Sequence, residues 1–253
     1  MQLEFLGTGT STGVPLIGCG CDVCRSSDPR DKRLRASAIV RTGGLNILID
    51  CGPDFRTQML RASDTQLDAL IVTHSHYDHV GGIDDLRPYC AATGEFPVYC
   101  QDDVAADLRA RVPYCFREHP YPGAPRFELI PIVAYRPFQV GDVTIEPLRV
   151  MHAKLPIIGF KIGKLGYITD AKTLPEATID ALRGIDTLVI NALRLEEHFS
   201  HFNLEESLAM VAEIKPRRAF LTHMSHDMPR MATMESSLPA NVQFAYDRMI
   251  IEI

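Results

Sequence analysis

Residues 74 to 79 read His-Ser-His-Tyr-Asp-His, directly after the apolar run ALIVT and directly before Val80-Gly81-Gly82. Imidazole and carboxylate groups packed so tightly on one turn can reach two adjacent cations, because alternate side chains diverge while neighbours still share the loop. Three further apolar runs end on a potential donor: EPLRVM leads to His152, LGYIT to Asp170, and AFLT to His223. In sheet-based α/β proteins ligands collect at the carboxyl ends of strands, so donors this far apart in sequence can meet at one sheet edge. A surface loop that happens to hold three histidines is the plainer reading. It sits poorly with a chain that has only nine histidines in all.

The rest of the chain fits a layered α/β arrangement. Short β-type runs recur as LEFLG, SAIVRT, LNILID, LDALIVT, VTIEPLRVM, FKIGKLGYIT, TLVINA, RRAFLT and the closing NVQFAYDRMIIEI. Helix-like segments (DDVAADLRARV, PEATIDALRG, NLEESLAMVAEI) lie between some of them. Residues 112–138 hold six prolines, Pro113, Pro120, Pro122, Pro125, Pro131 and Pro137, and read as one long loop. No repeat or linker-like shift divides the 253 residues, so one domain spanning 1–253 is expected. The net charge of −6 supplies no field for a long polyanion or an anionic membrane and favours a small substrate. The N-terminus lacks a cationic n-region followed by an apolar h-region, which points to a cytoplasmic location.

Cys19, Cys21 and Cys24 form a C-x-C-x2-C loop, a spacing that suits tetrahedral zinc and strains any disulfide within it. A fourth ligand is needed, and His226, three residues after His223, is the candidate. Cys51, Cys90, Cys100 and Cys115 show no ligand spacing and read as buried thiols. The segment Gly7-Thr8-Gly9-Thr10-Ser11-Thr12-Gly13 lacks the lysine of a phosphate-binding loop and reads as a tight turn feeding the cysteine loop. The charged run from Arg30 to Arg35 reads as solvated surface, and His119 as solvent-facing.

HSHYDH matches the HxHxDH motif, and the chain from Gly7 to near its C-terminus resembles the metallo-β-lactamase superfamily. That resemblance implies a four-layer αββα sandwich. It also implies His74, His76 and His152 on one divalent metal, Asp78, His79 and His223 on a second, and Asp170 between them. Asp50, in LNILIDCG, looks like the aspartate that supports the metal loop from behind, although a turn former at a strand end is its rival reading. The cysteine loop after GTGTSTGVP, with HAK, GYITDA and THMSH, is similar to the PhnP-type phosphodiesterases, which act on cyclic phosphate esters. The likeness implies two catalytic ions, manganese or zinc, and one structural zinc. It makes His201 a catalytic residue at the phosphate beside Asp78, and leaves His198 without a matching role.

The expected activity is metal-dependent hydrolysis of small cyclic or nucleotide-like phosphodiesters by a water that two metals ionise, with His201, if near its ordinary pKa of about 6.5, donating a proton to the leaving alkoxide. Thioester or lactone hydrolysis on the same fold is the main alternative. An RNA-processing nuclease is disfavoured by the acidic balance, and a non-catalytic nucleotide- or metal-binding module by the full set of donors. The resemblance leaves a homodimer open, and no membrane partner is expected.

Overall fold

The computed structural model describes residues 1–119 and 121–253, apart from the side chains of Ala92 and Thr93. Two seven-stranded sheets carry the chain. The first holds β1 (Gln2–Gly7), β2 (Ser37–Thr42), β3 (Leu45–Ile49), β4 (Ala69–Ile71), β5 (Phe96–Cys100) and β6 (Phe127–Pro131). The second runs in chain order through β7 (Phe138–Val140), β8 (Val143–His152), β9 (Leu155–Ile162), β10 (Leu165–Tyr167), β11 (Thr187–Asn191), β12 (Arg218–Thr222) and β13 (Val242–Phe244). The last strand, β14 (Ile250–Glu252), returns to the first sheet and pairs with β1.

Alternation along the strands builds the layers. In β3, Ile47 and Ile49 point between the sheets while Leu48 points outward, and in β12 Phe220 points inward while Ala219 and Leu221 point outward. The inner residues make one core with Phe5, Ile71, Phe160, Tyr167 and Val189. The outer face of the first sheet is covered by residues such as Phe55 and Leu108, and that of the second by Ile179, Leu182, Val211 and Ile214. The result is the αββα sandwich expected from the sequence.

Three of the covering helices coincide with helix-like runs of the sequence, Glu176–Leu182, Leu204–Ile214 and Asp102–Arg111. The second starts with a capping box in which the Asn203 side chain accepts from the Glu206 amide and the Glu206 carboxylate accepts from the Asn203 amide. Among the described residues, no helix is long and apolar enough to cross a membrane.

Two sequence expectations need correction. The proline-rich stretch is not a continuous loop, because residues 127–131 form an edge strand pairing in parallel with β5, from Phe96↔Phe127 to Cys100↔Pro131. An edge position tolerates Pro131, whose missing N–H costs a ladder bond only where a neighbour needs one; Pro120 lies outside the described residues. The run Arg30 to Arg35 is not simply solvated surface either. Arg33 is buried and donates to Thr8 Oγ1 and the Ala245 carbonyl, both at 2.7 Å, and Arg35 pairs with Asp54 at 2.9 Å. His119 is exposed, as expected.

Asp247 completes this junction of chain ends, accepting from the Thr8 amide (2.9 Å), Thr8 Oγ1 (2.8 Å) and the Leu34 amide (2.7 Å). Asp247→Ala strands those donors and is expected to lower unfolding free energy by about 2 kcal/mol, measured as a shift in urea midpoint at constant m-value. An unchanged midpoint would show that water replaces the carboxylate without loss.

Candidate metal centre

Strand direction sets the site. β8 and β10 both run antiparallel to β9, and β10, β11 and β12 are mutually parallel, so β8, β10 and β12 end on the same edge of the second sheet. His152 is the last residue of β8, Asp170 follows β10 by three residues, and His223 follows β12 directly. In the first sheet β3 and β4 are parallel, which puts Asp50 and His74 on one edge as well. Asp50, Asp170 and His223 adopt left-handed backbone, with φ of 61°, 55° and 58°. Few non-glycine residues do so, although Asp and His are among those that tolerate it, and such strain gathers at functional sites.

Residues His76 to Gly82 form the candidate metal-binding loop and its short helix, Tyr77–Val80. The turn after β3 grips this loop: the Cys51 amide donates to the His79 carbonyl at 2.7 Å, and the Gly82 amide to the Cys51 carbonyl at 2.9 Å. A Cβ on Gly52 would stand 2.1 Å from the Asp78 carbonyl oxygen, so only glycine permits this approach.

The hydrogen bonds fix which ring nitrogen of each histidine is free. Asp50 accepts from the Thr73 amide and hydroxyl, both at 2.8 Å, and lies 2.7 Å from His79 Nδ1. A carboxylate can only accept there, so His79 carries its proton on Nδ1 and directs Nε2 into the cluster. The Thr73 hydroxyl, already donating to Asp50, accepts from His74 Nδ1 at 3.0 Å. His152 Nδ1 donates to the Asp170 carbonyl at 2.9 Å. Three histidines thus turn Nε2 toward the cluster, the orientation that outer hydrogen bonds impose on metal-ligating imidazoles.

Donor atoms converge in two groups that do not include His74 or His76, whose rings lie beside them. Ligand atoms of Asp78, His79, Asp170 and His223 lie within 4.8 Å of one another, and so do those of His152, Asp170 and His201, so Asp170 belongs to both groups. His79 Nε2 stands 3.2 Å from Asp78 Oδ2 and 3.3 Å from Asp170 Oδ2, and His223 Nε2 stands 3.2 Å from Asp170 Oδ1. The rings of His74 and His76 are 4.5 Å apart, with His152 at 5.8 Å and 5.2 Å from them. Among the described residues, the buried Nε2 atoms of His74, His79 and His223 make no hydrogen bond despite the nearby carboxylates. Orphaned ring nitrogens around buried carboxylates fit divalent cations.

The charges agree with that fit. Burial opposes ionisation of Asp170, yet His223 and His79 hold its carboxyl well below the usual carboxylate range, and Asp78 is likewise held down by His79 and His223. Burial also opposes a proton on His79, but Asp170, Asp78 and Asp50 raise its imidazole well above the ordinary value. Protons here balance a charge that cations would balance better, so metal binding should expel them. Burial pushes His201 down to about 4, against Asp170 Oδ1 at 3.0 Å from its Nε2. That corrects the expectation of an imidazole near its ordinary pKa. His198, without a matching role in the sequence, is half-buried with Nδ1 3.3 Å from His201 Nδ1.

The second donor cluster forms where the N-terminal loop meets residues 223–226. Gly9 bridges to both Arg35 and Met224, and the Thr10 amide donates to the Met224 carbonyl at 3.0 Å. The ligand atoms of Cys19, Cys21, Cys24 and His226 fall within 4.8 Å of one another, with His226 Nδ1 at 3.5 Å from Cys19 Sγ and 3.6 Å from Cys21 Sγ. The Cys24 amide and His226 pull the Cys21 thiol down to about 6, toward the thiolate that zinc requires. Cys51, Cys90, Cys100 and Cys115 are buried, as the sequence suggested. A cavity of about 600 Å³ lined by Phe55, Met59, Arg87 and Tyr89 contains none of these donors. Donor chemistry, not cavity size, marks the centre.

Residues 45–224 match the family model described as a beta-lactamase superfamily domain. The chain belongs to the metallo-β-lactamase superfamily. A crystal structure of a diphosphatase from the PhnP family matches with a TM-score of 0.92 at 36% identity, covering 100% of this chain and 97% of that one. A protein of Porphyromonas gingivalis named octanoyltransferase is 45% identical over 98% of this chain and 50% of its own length. The chain therefore spans about half of that relative. Ribonuclease Z of a Mycobacterium species is 30% identical over 72% of this chain and 68% of that protein.

Asp50→Asn removes the charge that fixes the His79 tautomer while keeping side-chain size. It is expected to weaken divalent-metal affinity 10- to 100-fold in chelator competition, with an unaltered circular dichroism spectrum. Wild-type affinity in the variant would leave Asp50 as a turn former only.

Proposed function

We propose that the chain is a hydrolase acting at phosphorus, which uses two divalent ions, manganese or zinc, to cleave small phosphodiesters or the diphosphate linkages of nucleotide-like compounds. The observation that carries this reading is the pair of donor groups sharing Asp170, in a chain similar along its whole length to a PhnP-family diphosphatase. On this reading His74, His76 and His152 hold one ion, Asp78, His79 and His223 the other, and Asp170 both. A structural zinc takes Cys19, Cys21, Cys24 and His226. When bound, the catalytic ions would lower the pKa of a water and neutralise the anionic oxygens of the substrate.

The chain's own groups do the rest. Asp50 and Thr73 keep His79 and His74 oriented. His201 is held neutral near pH 7 by burial and donates its Nε2–H to Asp170 Oδ1 at 3.0 Å, an N–H that would become free for a phosphate oxygen once cations take the Asp170 carboxylate. An arriving anion raises its proton affinity, so the imidazole can take up a proton from solvent and pass it to the leaving oxygen.

Two relatives suggest other substrates. Ribonuclease Z shares the family, but a net charge of −6 gives an RNA backbone little to bind. The octanoyltransferase name belongs to a protein twice as long, so acyl chemistry stands second.

One assay separates these readings: manganese-loaded protein with bis(p-nitrophenyl) phosphate, a dinucleotide diphosphate, a thioester, a lactone and a precursor tRNA. Turnover confined to the two small phosphate substrates is expected; carbonyl or RNA turnover alone would contradict the proposal. In the same assay His201→Ala is expected to keep its metal content and lose roughly 10²-fold or more in kcat. Loss of metal would make His201 a ligand, and unchanged kcat would remove it from the reaction.

A further inference from the structure

Phe199 lies two residues before His201 and is 79% exposed, on a loop whose other exposed apolar side chain is Leu195. A single exposed apolar residue is ordinary on a protein surface. Phe199 differs because its ring is held in place. It packs on the His198 imidazole at 4.7 Å between centroids, and His198 lies 5.2 Å from the His201 ring, with its Nδ1 3.3 Å from His201 Nδ1. His201 in turn stands 4.6 Å from His152. A row of rings thus runs from the metal centre outward and ends in an uncovered aromatic face.

Other exposed apolar side chains flank the same centre. Tyr77, 61% exposed, sits between His76 and Asp78, and its ring lies against Gly81, where an added Cβ would approach it to 2.7 Å. Leu155 follows His152 by three residues and is also exposed. The donors at the centre are charged or polar, whereas its surroundings offer aromatic and aliphatic surface. A ligand matching both has an anionic phosphate joined to a flat, apolar group.

We infer that Phe199 is a stacking platform for the nucleobase of the substrate, making this a specificity-determining residue for nucleotide-type phosphodiesters or diphosphates. The inference rests on the proposed phosphorus chemistry for the placement of the phosphate, but it concerns binding and is tested without turnover. Stacking of a base on an aromatic side chain tolerates any base, so discrimination between bases is not expected.

The test is calorimetric titration of the manganese-loaded protein with AMP and with ribose 5-phosphate, which share the phosphate and differ in the base. Wild type is expected to bind AMP roughly ten- to a hundredfold more tightly. Phe199→Ala should bind both ligands alike, Phe199→Trp should keep the preference, and Ile250→Ala, on the distant strand β14, should match wild type. Equal binding of both ligands by wild type, or a preference that survives Phe199→Ala, overturns the inference. So does light scattering in which Phe199→Ala dissociates a dimer, which would assign the ring to a contact between copies. Failure of the phosphorus chemistry is read separately, as absent hydrolysis of bis(p-nitrophenyl) phosphate by protein that still prefers AMP.

Discussion

Everything at this centre follows from three carboxylates, Asp50, Asp78 and Asp170, buried among imidazoles where the two sheets meet. Burying a carboxylate is costly unless it is paired and hydrogen-bonded. Asp50 meets that condition with protein groups alone, through Thr73 and His79. Asp78 and Asp170 meet it only in part: Asp170 accepts from the Thr169 hydroxyl at 2.6 Å and from His201 Nε2 at 3.0 Å, but the Nε2 atoms of His79 and His223 stand close to both carboxylates without forming hydrogen bonds. The fold gathers imidazoles around buried carboxylates, an arrangement that divalent cations would make more favourable than the protons that balance it otherwise.

The sandwich supplies the rigidity this requires. Inner and outer residues alternate so regularly along β3, β4, β11 and β12 that a one-residue slip of any strand would turn its core side chains outward. Donors placed just past strand ends inherit that register. The left-handed residues Asp50, Asp170 and His223 then turn the backbone sharply where the strands stop. A well-packed core on both sides holds these conformations against their local cost.

Much of this was legible in the sequence. The HxHxDH loop and the donors after EPLRVM, LGYIT and AFLT pointed to one edge of a layered fold, and the three cysteines with His226 do lie together. What escaped was set by tertiary context. Strands β5, β6 and β7 went unread because prolines and short lengths mask them, although pairing in the sheet stabilises them. Arg33 looked like a surface charge because no local pattern reveals that Thr8 and Ala245 surround it. The depressed proton affinity of His201 and the contact from His198 depend on packing between distant segments. Left-handed backbone at Asp and His leaves no mark that a sequence pattern can show.

The measurement that tests the central claim most directly is anomalous diffraction from crystals grown with manganese, recorded on both sides of the manganese and zinc edges. The account predicts two manganese peaks flanking the Asp170 carboxylate, one toward His74, His76 and His152 and one toward Asp78, His79 and His223, with a zinc peak among Cys19, Cys21, Cys24 and His226. Absence of anomalous density beside Asp170 at saturating manganese, with the imidazoles still converged, would contradict it.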